Sequence, residues 1–555
     1  MAADTTDLDE LREQARRWLD DDPDPTSRDE LRAVLDGLPG SGPELADRFA
    51  GPLTFGTAGL RGPLRAGPNG MNLAVVTRAA AGLVGWLADQ GGQGPLVIGY
   101  DARHGSRAFA ERTAQVATGA GRPALLLPRP LPTPVLAYAV RHLGAVAGVM
   151  VTASHNPPQD NGYKVYLGAS LGGELGAGAQ IVPPADAGIE AAIRAVGPLA
   201  RVPLGPAGEV LGDDLVTAYV QRAAEVVDPT GPRDLKVAYT PLHGVGATVL
   251  TAAFARAGFG VPGVVPEQAE PDPAFPTVSF PNPEEPGAVD RLVALAGAIG
   301  ADLAIANDPD ADRCAVAVPD GAGGWRMLRG DEVGALLADH LMRRGVTGLY
   351  ATTIVSSSLL RAMCAARGLP YDETLTGFKW IVRAGGGAQP LVFGYEEALG
   401  YCVAPEHVRD KDGITAALTV AELAAGLKAQ GRTLADRLDE LAAEFGVHHT
   451  DQLSVRVDDL RVITDAMARI RAATPTELLG HPVTETSDLL PGADVVILRT
   501  DAARVVIRPS GTEPKLKAYL EVVEPVTDGD VPAARRRAQA AISALRTEIA
   551  RALGL

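Results

Sequence analysis

The sequence has 555 residues, 46% of them hydrophobic and 21% charged, and a formal net charge of -17. A single hydrophobic core stops growing near ~250 to 300 residues, so we expect several domains. The negative charge disfavours nucleic acid and anionic membranes as partners. Three widely spaced cysteines favour a reducing compartment, and no apolar run reaches the ~18 residues of a membrane span, so we expect a cytoplasmic protein.

Three segments of the chain repeat one pattern, a β-rich run, a polar or glycine-bearing turn, and a helix closed by glycine. They begin near residues 95, 234 and 347, with the sequences GPLVIGYDARHGSRAF, DLKVAYTPLHGVGATV and TGLYATTIVSSSLLRA. Such distant starts exclude a solenoid and predict three similar α/β domains in series. The last hundred residues instead combine strand-like runs around a turn with a helix from about Val531, which predicts a smaller α+β domain.

Glycine- and proline-rich stretches mark the candidate domain boundaries. They are VPLGPAGEV (202–210) and PDGAGGW (319–325), and a further change follows the helix that ends near Phe445. The predicted domains are 1–209, which includes a helical N-terminal extension, 210–322, 323–445 and 446–555.

The stretch VTASHNPPQDNGYK (151–164) places Ser154 directly before His155 on a turn. A nucleophile elbow for acyl transfer would need the pattern G-x-S-x-G and a histidine from elsewhere in the chain. Adjacent side chains on an extended backbone point in opposite directions, so we expect His155 to be poorly placed to take the Ser154 proton. The plain alternative is a local turn in which Ser154 and Asn156 hydrogen-bond the backbone.

The stretch ANDPDADRCAVAVPD places three carboxylates between two apolar runs. Asp308, Asp310 and Asp312 can converge on one hard cation, and oxygen-only ligands favour Mg²⁺ or Ca²⁺ over zinc. An EF-hand is excluded because Arg313 stands where the turn glycine is required. A solvated acidic turn is the alternative, but Mg²⁺ typically completes its coordination with phosphate oxygens, and Arg313 also suits a phosphate.

Two further segments carry candidate ligand contacts. In RPSGTEPKLK (508–517), an arginine, two hydroxyls, a glycine and a lysine form a set that suits a phosphate dianion, and a hairpin turn with surface charge is the alternative. In GYEEALGY, Glu396 and Glu397 could accept hydrogen bonds from sugar hydroxyls, and a solvated surface is the alternative.

TASHNP, DPDADR, GYEEALG and RPSGTEPK, in this order, resemble the four active-site loops of the α-D-phosphohexomutase superfamily, one loop per domain. FGTAGLRG (55–62), TLTGFKWI (374–381) and VRDKDG (408–413) match accompanying segments of that family, so the resemblance extends from about residue 40. The chain most resembles the phosphoglucomutase branch that includes phosphopentomutase-like members. The resemblance implies a heart-shaped enzyme of three α/β domains and a smaller α+β domain, with a central cleft.

By this resemblance Ser154 carries a phosphoryl group. Its phosphate passes to a hydroxyl of a hexose monophosphate, and the bound 1,6-bisphosphate reorients and returns its other phosphate to the serine. The resemblance assigns one Mg²⁺ to Asp308, Asp310, Asp312 and Ser154, and it assigns proton transfer to Lys411 as base, assisted by His155 and Arg61. It assigns substrate contacts to Arg313, Thr376, Gly377, Lys379, Glu396 and Lys164. It assigns phosphate binding to Arg508, Ser510, Gly511, Thr512 and Lys515.

The expected reaction is the interconversion of glucose 1-phosphate and glucose 6-phosphate, with glucose 1,6-bisphosphate as activator. Mannose or pentose phosphates are the alternative substrates, because Ala398 stands where many family members carry a serine. The chain could instead be a non-catalytic phosphosugar-binding homologue or a phosphatase. We expect a monomer or weak dimer whose partner is the small phosphosugar.

Overall fold

The computed structural model describes residues 5–54, 59–457, 459–510 and 515–555. Three helices begin the chain, α1 (Thr5–Asp21), α2 (Pro25–Asp36) and α3 (Gly42–Arg48). They form the predicted N-terminal extension. Leu31, Val34 and Leu45 bury their apolar sides against one another, and Pro25 at the first turn and the Asp24 cap start the second helix.

The first unit is a mixed sheet with helices on both faces. Its elements are β1 (Leu60–Pro63), α4 (Leu73–Asp89), β2 (Leu96–Tyr100), α5 (Ser106–Gly119), β3 (Ala124–Leu126), α6 (Thr133–His142), β4 (Ala147–Val151), β5 (Asp160–Leu167), α7 (Ala169–Gly176), β6 (Ala179–Gln180), α8 (Ala185–Ala195) and β7 (Glu209–Val210). The strand order is β1-β5-β4-β2-β3-β7, and β6 pairs with β5. Side chains alternate between faces, so Ile98 packs on the side of α4 and α5 while Val97 packs with α6.

The second and third units repeat the central part of this arrangement. The second contains α9 (Asp213–Ala224), β8 (Val237–Thr240), α10 (Gly246–Arg256), β9 (Gly263–Val264), α11 (Asp290–Ile299), β10 (Leu303–Ala306), β11 (Ala315–Pro319) and β12 (Trp325–Met327). The third contains α12 (Gly330–Arg343), β13 (Leu349–Thr353), α13 (Leu359–Arg367), β14 (Tyr371–Thr374), α14 (Phe378–Ile381), β15 (Leu391–Glu396), β16 (Gly400–Cys402), α15 (Gly413–Lys428) and α16 (Leu434–Phe445). The three predicted βα repeats are confirmed as β2–α5, β8–α10 and β13–α13.

The fourth unit is an antiparallel sheet in the order β17-β23-β22-β21-β20, with two helices against one face. Its elements are β17 (Val447–Arg456), α17 (Arg461–Ala472), β18 (Glu477–Leu478), β19 (His481–Pro482), β20 (Glu485–Asp488), β21 (Val496–Arg499), β22 (Ala503–Pro509), β23 (Lys515–Glu524) and α18 (Val531–Leu553). The helix predicted from about Val531 is confirmed, and the Asp530 side chain caps its first turn. The smaller α+β unit is therefore confirmed.

Buried apolar side chains connect the units. One cluster contains Leu136 of α6, Leu250 of α10 and Leu418 of α15, so the first three units share a core. The fourth unit instead meets the third through a smaller cluster that includes Val355 and Val506.

The three predicted boundaries fall in a strand, in a turn and at the end of a helix. Residue 209 lies in β7, which pairs with β3. Residue 322 lies in the turn between β11 and β12, and these strands pair in the second sheet, so that sheet continues to Met327. Residue 445 ends α16. The domain division itself stays a prediction.

The sequence predicted a reducing compartment from the cysteines and no membrane span from the apolar runs. The three cysteines, all in described residues, are buried and free of disulfides. No helix within the described ranges is both long and apolar enough to cross a membrane.

Candidate active site

Three loops occupy the same topological position in the first three sheets. In each sheet two parallel strands lie side by side, and the second turns back as an antiparallel neighbour. The turning segments are the serine loop (152–159), the aspartate loop (307–314) and the glutamate loop (396–400). The turn between the first strand and its helix lies at the same edge, because both parallel strands end there. We call these turns the supporting turns, and they are 101–105, 241–245 and 354–358.

Ser154 is buried and lies against the aspartate loop. Its backbone has φ 52°, its amide donates to Thr152 Oγ1 at 2.8 Å, and its hydroxyl donates to Asp308 Oδ2 at 2.7 Å. The expectation that His155 points away from Ser154 is wrong, because His155 Nδ1 lies 3.2 Å from Ser154 Oγ. The left-handed backbone at Ser154 brings the two side chains to one side, whereas the prediction assumed an extended strand.

The serine loop is held by an arginine that sequence reasoning missed. Arg103, in the supporting turn of the first unit, is 4% exposed, and its guanidinium donates to the carbonyl oxygens of Ser154, Asn156 and Pro157 at 2.6, 2.5 and 2.8 Å. Arg61 donates to the side-chain oxygen of Asn156 at 2.9 Å. The buried polar side chain in the turn after a strand is the signal that could have identified Arg103.

Asp308, Asp310 and Asp312 are fully buried, and a ligand oxygen of each lies within 4.8 Å of the others. Among the described residues, Oδ1 of Asp310 and Oδ1 of Asp312 have no hydrogen-bond partner. Buried carboxylate oxygens without partners are costly unless a ligand satisfies them, and three clustered carboxylates suit a hard divalent cation. The residues therefore fit a metal ion, and Ser154 Oγ lies where it could reach the same ion.

Lys164 neutralises part of the negative charge of the aspartate loop. Lys164 Nζ lies 2.9 Å from Asp310 Oδ2 and 3.2 Å from Asp312 Oδ2. Burial raises the pKa of Asp308 well above its usual value, and the charges of Asp310 and Asp312 raise it further. Burial also acts to raise the pKa of Asp310, but Lys164 and the hydroxyl of Thr133 outweigh it and the pKa is lowered. The loop is thus a concentrated negative site that requires positive charge.

The predicted base, Lys411, is also paired with this loop. Its Nζ lies 3.2 Å from Asp312 Oδ2 and 3.5 Å from Asp410 Oδ1. Burial acts to lower the pKa of Lys411, but these carboxylates and Glu396 outweigh it and raise the pKa above its usual value. The arrangement places Lys411 as a cation beside Glu396, whose pKa burial raises. The role of Lys411 as general base stays a prediction.

Arg313 reaches toward the cleft and meets a carboxylate that no motif included. Its guanidinium lies 3.9 Å from Asp308 Oδ2 and 3.9 Å from Glu284 Oε2. Glu284 belongs to the proline-rich stretch SFPNPEEP, and its side chain is 42% exposed. The positive charges of Arg313 and Lys517 act on this carboxylate. Lys517 belongs to the fourth unit, so that unit contributes positive charge near Glu284.

The phosphate-binding residues predicted in the fourth unit lie on the arginine hairpin, which is formed by β22 and β23. Arg508 stands directly opposite Lys517 across the two strands, and the amide of Ser510 donates to the carbonyl of Lys515 at 2.8 Å. The predicted residues Gly511 and Thr512 lie outside the described residues.

Three predicted substrate residues lie on the third unit between β14 and α14 or within α14. Thr376 and Gly377 precede the helix, and Gly377 has φ 113°, a value that favours glycine. Lys379 is 9% exposed and its ammonium lies 5.8 Å from the ring centre of Trp380. Burial lowers the pKa of Lys379, and the charge of Asp186 in the first unit opposes this shift.

Four regions of the chain match the four parts of one protein family. Residues 52–197, 217–323 and 329–445 match the descriptions "Phosphoglucomutase/phosphomannomutase, alpha/beta/alpha domain" I, II and III, and residues 453–538 match its "C-terminal domain". The chain belongs to the phosphoglucomutase/phosphomannomutase family. It is therefore an enzyme of the mutase type, as the resemblance of the four loops predicted, and its family is metal-dependent.

Three curated relatives of this family member carry different names. The "Probable phosphomannomutase" of Haemophilus influenzae is 46% identical over 460 residues, which cover 81% of this chain and 93% of the relative. The phosphopentomutase of Homo sapiens is 33% identical and covers 96% of this chain and 95% of its own. A phosphoglucomutase of Staphylococcus aureus is 33% identical over 88% of this chain and 93% of its own.

A crystal structure supports the family fold. A phosphoglucomutase/phosphomannomutase family protein from Burkholderia thailandensis superimposes with a TM-score of 0.69 at 20% identity, over 90% of this chain and 97% of that protein. The four-unit architecture predicted from the sequence is thus the architecture of the family.

Proposed function

We propose that this family member interconverts the 1-phosphate and the 6-phosphate of glucose through a phosphoserine at Ser154 and a bound 1,6-bisphosphate. The observation that carries the proposal is the contact of 2.7 Å between Ser154 Oγ and Asp308 Oδ2. A hydroxyl is thereby fixed beside three carboxylates that suit a divalent cation, and two of them, Asp310 and Asp312, each have an oxygen without a hydrogen-bond partner among the described residues. A phosphate on this hydroxyl would lie beside the cation.

A divalent cation held by the three aspartates would neutralise the charge that develops on the transferring phosphoryl group. The protein's own residues position the reactants. Arg103 holds the carbonyl oxygens of the serine loop, so Ser154 keeps one orientation while phosphate arrives and leaves. Lys164 and Arg313 supply positive charge around the same carboxylates.

The substrate must present either end to Ser154, so the other phosphate needs a second anchor. We propose Arg508 and Lys517 for this task, because they face each other on the arginine hairpin. We propose that Glu396 accepts hydrogen bonds from ring hydroxyls, because it lies near the charges of Lys411 and Arg313.

Mannose phosphate is the second candidate substrate. The relative of 46% identity, which covers 81% of this chain, is named for that reaction. Ala398 in the glutamate loop removes a hydroxyl that many family members use, and a lost hydrogen bond alters discrimination between sugars that differ in one hydroxyl.

The carrier role can be measured directly. Intact-mass analysis of the purified protein should show a phosphate-sized adduct that maps to Ser154, and Ser154→Ala should lose both the adduct and turnover. A Ser154→Ala protein with full mutase activity would contradict the proposal. The 1-phosphates of glucose, mannose, glucosamine and ribose, assayed with Mg²⁺ and trace bisphosphate, identify the substrate, and release of inorganic phosphate at the rate of sugar turnover would indicate a phosphatase instead.

A further inference from the structure

Each supporting turn contacts the loop that follows it in the same sheet. In the first unit Arg103 binds the carbonyl of Ser154. In the second, the amide of Val245 donates to the carbonyl of Pro309 at 2.8 Å. In the third, the hydroxyl of Ser356 accepts from the amide of Glu397 at 3.3 Å and donates to its carboxylate at 3.1 Å. Ser356 therefore holds both the backbone and the side chain of the glutamate loop.

The supporting turn of the third unit is also held from the fourth unit. Arg504 of β22 donates to the carbonyl oxygen of Ser356 and lies 3.1 Å from Glu521 of β23. Glu521 accepts hydrogen bonds from the hydroxyl of Ser357 at 2.7 Å and from the amide of Ser358 at 2.8 Å. Arg504 and Glu521 are 6% and 2% exposed. The buried ion pair of Arg504 and Glu521 is thus hydrogen-bonded to the supporting turn of the third unit. We call this contact between the third and fourth units the joint.

The strand that reaches Ser356 also carries the proposed phosphate anchor. Arg504 and Arg508 are four residues apart on β22, so they point to the same face and lie about 13 Å apart. Their partners on β23 are Glu521 and Lys517. One face of the arginine hairpin therefore docks on the supporting turn at one end and presents cations at the other.

We propose that Ser356 is a positioning residue that sets the spacing between the glutamate loop and the arginine hairpin. This rests on the proposed function, in which one phosphosugar spans Glu396 and Arg508. The hydroxyl of Ser356 ties one loop and its carbonyl ties the other, so a single residue relates the two anchors. Spacing matters because a displacement of about 1 Å can lower a rate by about 100-fold.

The distinguishing experiment compares two ligands of different length. The phosphosugar spans both anchors, whereas inorganic phosphate, used as a competitive inhibitor of the phosphorylated enzyme, engages the arginine hairpin alone. Ser356→Ala should raise KM for the phosphosugar about tenfold, because one hydrogen bond is worth about 1 to 1.5 kcal/mol, while the inhibition constant of phosphate stays within about twofold.

Ser358→Ala is the matched control. It removes a hydroxyl 3.1 Å from His448 Nδ1 of the fourth unit but no contact to the glutamate loop that the structure describes. Both constants should stay within about twofold of wild type. An equal rise of both constants in Ser356→Ala would overturn the proposal, because a loosened fourth unit would weaken every ligand alike. Arg504→Lys keeps the charge and provides a second variant if Ser356→Ala unfolds. It should likewise raise KM for the phosphosugar more than it raises the inhibition constant of phosphate.

A double-mutant cycle tests the coupling itself. Glu396→Gln should weaken phosphosugar binding less in the Ser356→Ala background than in wild type, because the loop is already misplaced. Additive effects would overturn the proposal. If wild type turns over no phosphosugar, the proposed function fails; if wild type is active and Ser356→Ala behaves like Ser358→Ala, only the positioning role fails.

Discussion

The supporting turns of the first and third units lie at the same place in their sheets but hold their loops differently. In the first, the guanidinium of Arg103 comes from the turn itself and binds three carbonyl oxygens of the serine loop. In the third, the turn offers the hydroxyl of Ser356, and the guanidinium arrives from Arg504 of another unit.

The difference separates two kinds of requirement. The serine loop, the proposed phosphoryl carrier, must keep its backbone in one conformation, and Arg103 provides this from within the first unit. The proposed anchors for the far end of a substrate must agree with one another across a joint, and contacts between units provide that. Variants at the two turns should therefore fail in different ways.

The largest effect is expected from Arg103→Ala. The variant leaves three carbonyl oxygens of the serine loop without their donor and Asp101 without its ion pair at 3.4 Å. We expect the free energy of unfolding to fall by about 3 to 5 kcal/mol and turnover to fall at least about 100-fold. Urea unfolding and steady-state assays measure both. Arg107→Ala, an exposed residue paired with Glu111, is the control and should change neither.

Arg504→Ala should have the next largest effect. It leaves Glu521 buried without its guanidinium, so we expect about 3 kcal/mol less stability in the fourth unit and earlier proteolysis there. The serine loop is untouched, so intact mass should still show the proposed phosphoserine. Loss of the phosphate adduct in Arg504→Ala would remove the distinction between the turns.

Glu397 gives the stability of the glutamate loop a dependence on pH. Burial, with the charges of Glu396 and Asp331, raises its pKa to about 7 from the ordinary 4.5. Because the fold favours the protonated carboxyl, ionisation destabilises it progressively between pH 4.5 and 7, by up to about 3 kcal/mol above pH 7. Glu397→Gln should therefore be more stable than wild type at pH 8 and equal to it near pH 4.5. Urea unfolding at several pH values measures this, and a constant difference between the proteins would contradict it.

The smallest effect is expected from Arg499→Lys. Arg499 also crosses the joint, 3.3 Å from Glu373, and the side chains of this pair are 17% and 11% exposed, but lysine keeps the positive charge. We expect a loss below about 1 kcal/mol and no change in KM. A larger loss of stability would show that Arg499 contributes to the joint as much as the buried pair of Arg504 and Glu521.

The sequence predicted what lies in short contiguous motifs. Ser154 and the three aspartates follow strands and lie in turns of characteristic composition, so their meeting could be expected. Arg103 and Ser356 act on loops about 40 to 50 residues away, and nothing in their local pattern indicates the partner. The pairing of β12 with β11 likewise depends on strand contacts rather than on the glycine-rich turn between them.

One geometric expectation, that of His155, failed for a local physical reason. The left-handed backbone at Ser154 turns the neighbouring imidazole toward the hydroxyl, and such a dihedral angle cannot be read from residue type alone. The protonation of Lys411 depends on carboxylates from two segments, 312 and 410, that only the fold brings together. The motifs therefore indicated which groups meet, whereas the charges around those groups depend on residues that only the fold brings together.

The shared core of the first three units has a consequence for how the molecule melts. Leu136, Leu250 and Leu418 belong to one continuous cluster, whereas the fourth unit has an interior of its own around Val505 and Ile542. A calorimetric scan should therefore show two cooperative transitions rather than four, and the smaller one should report on the C-terminal unit alone.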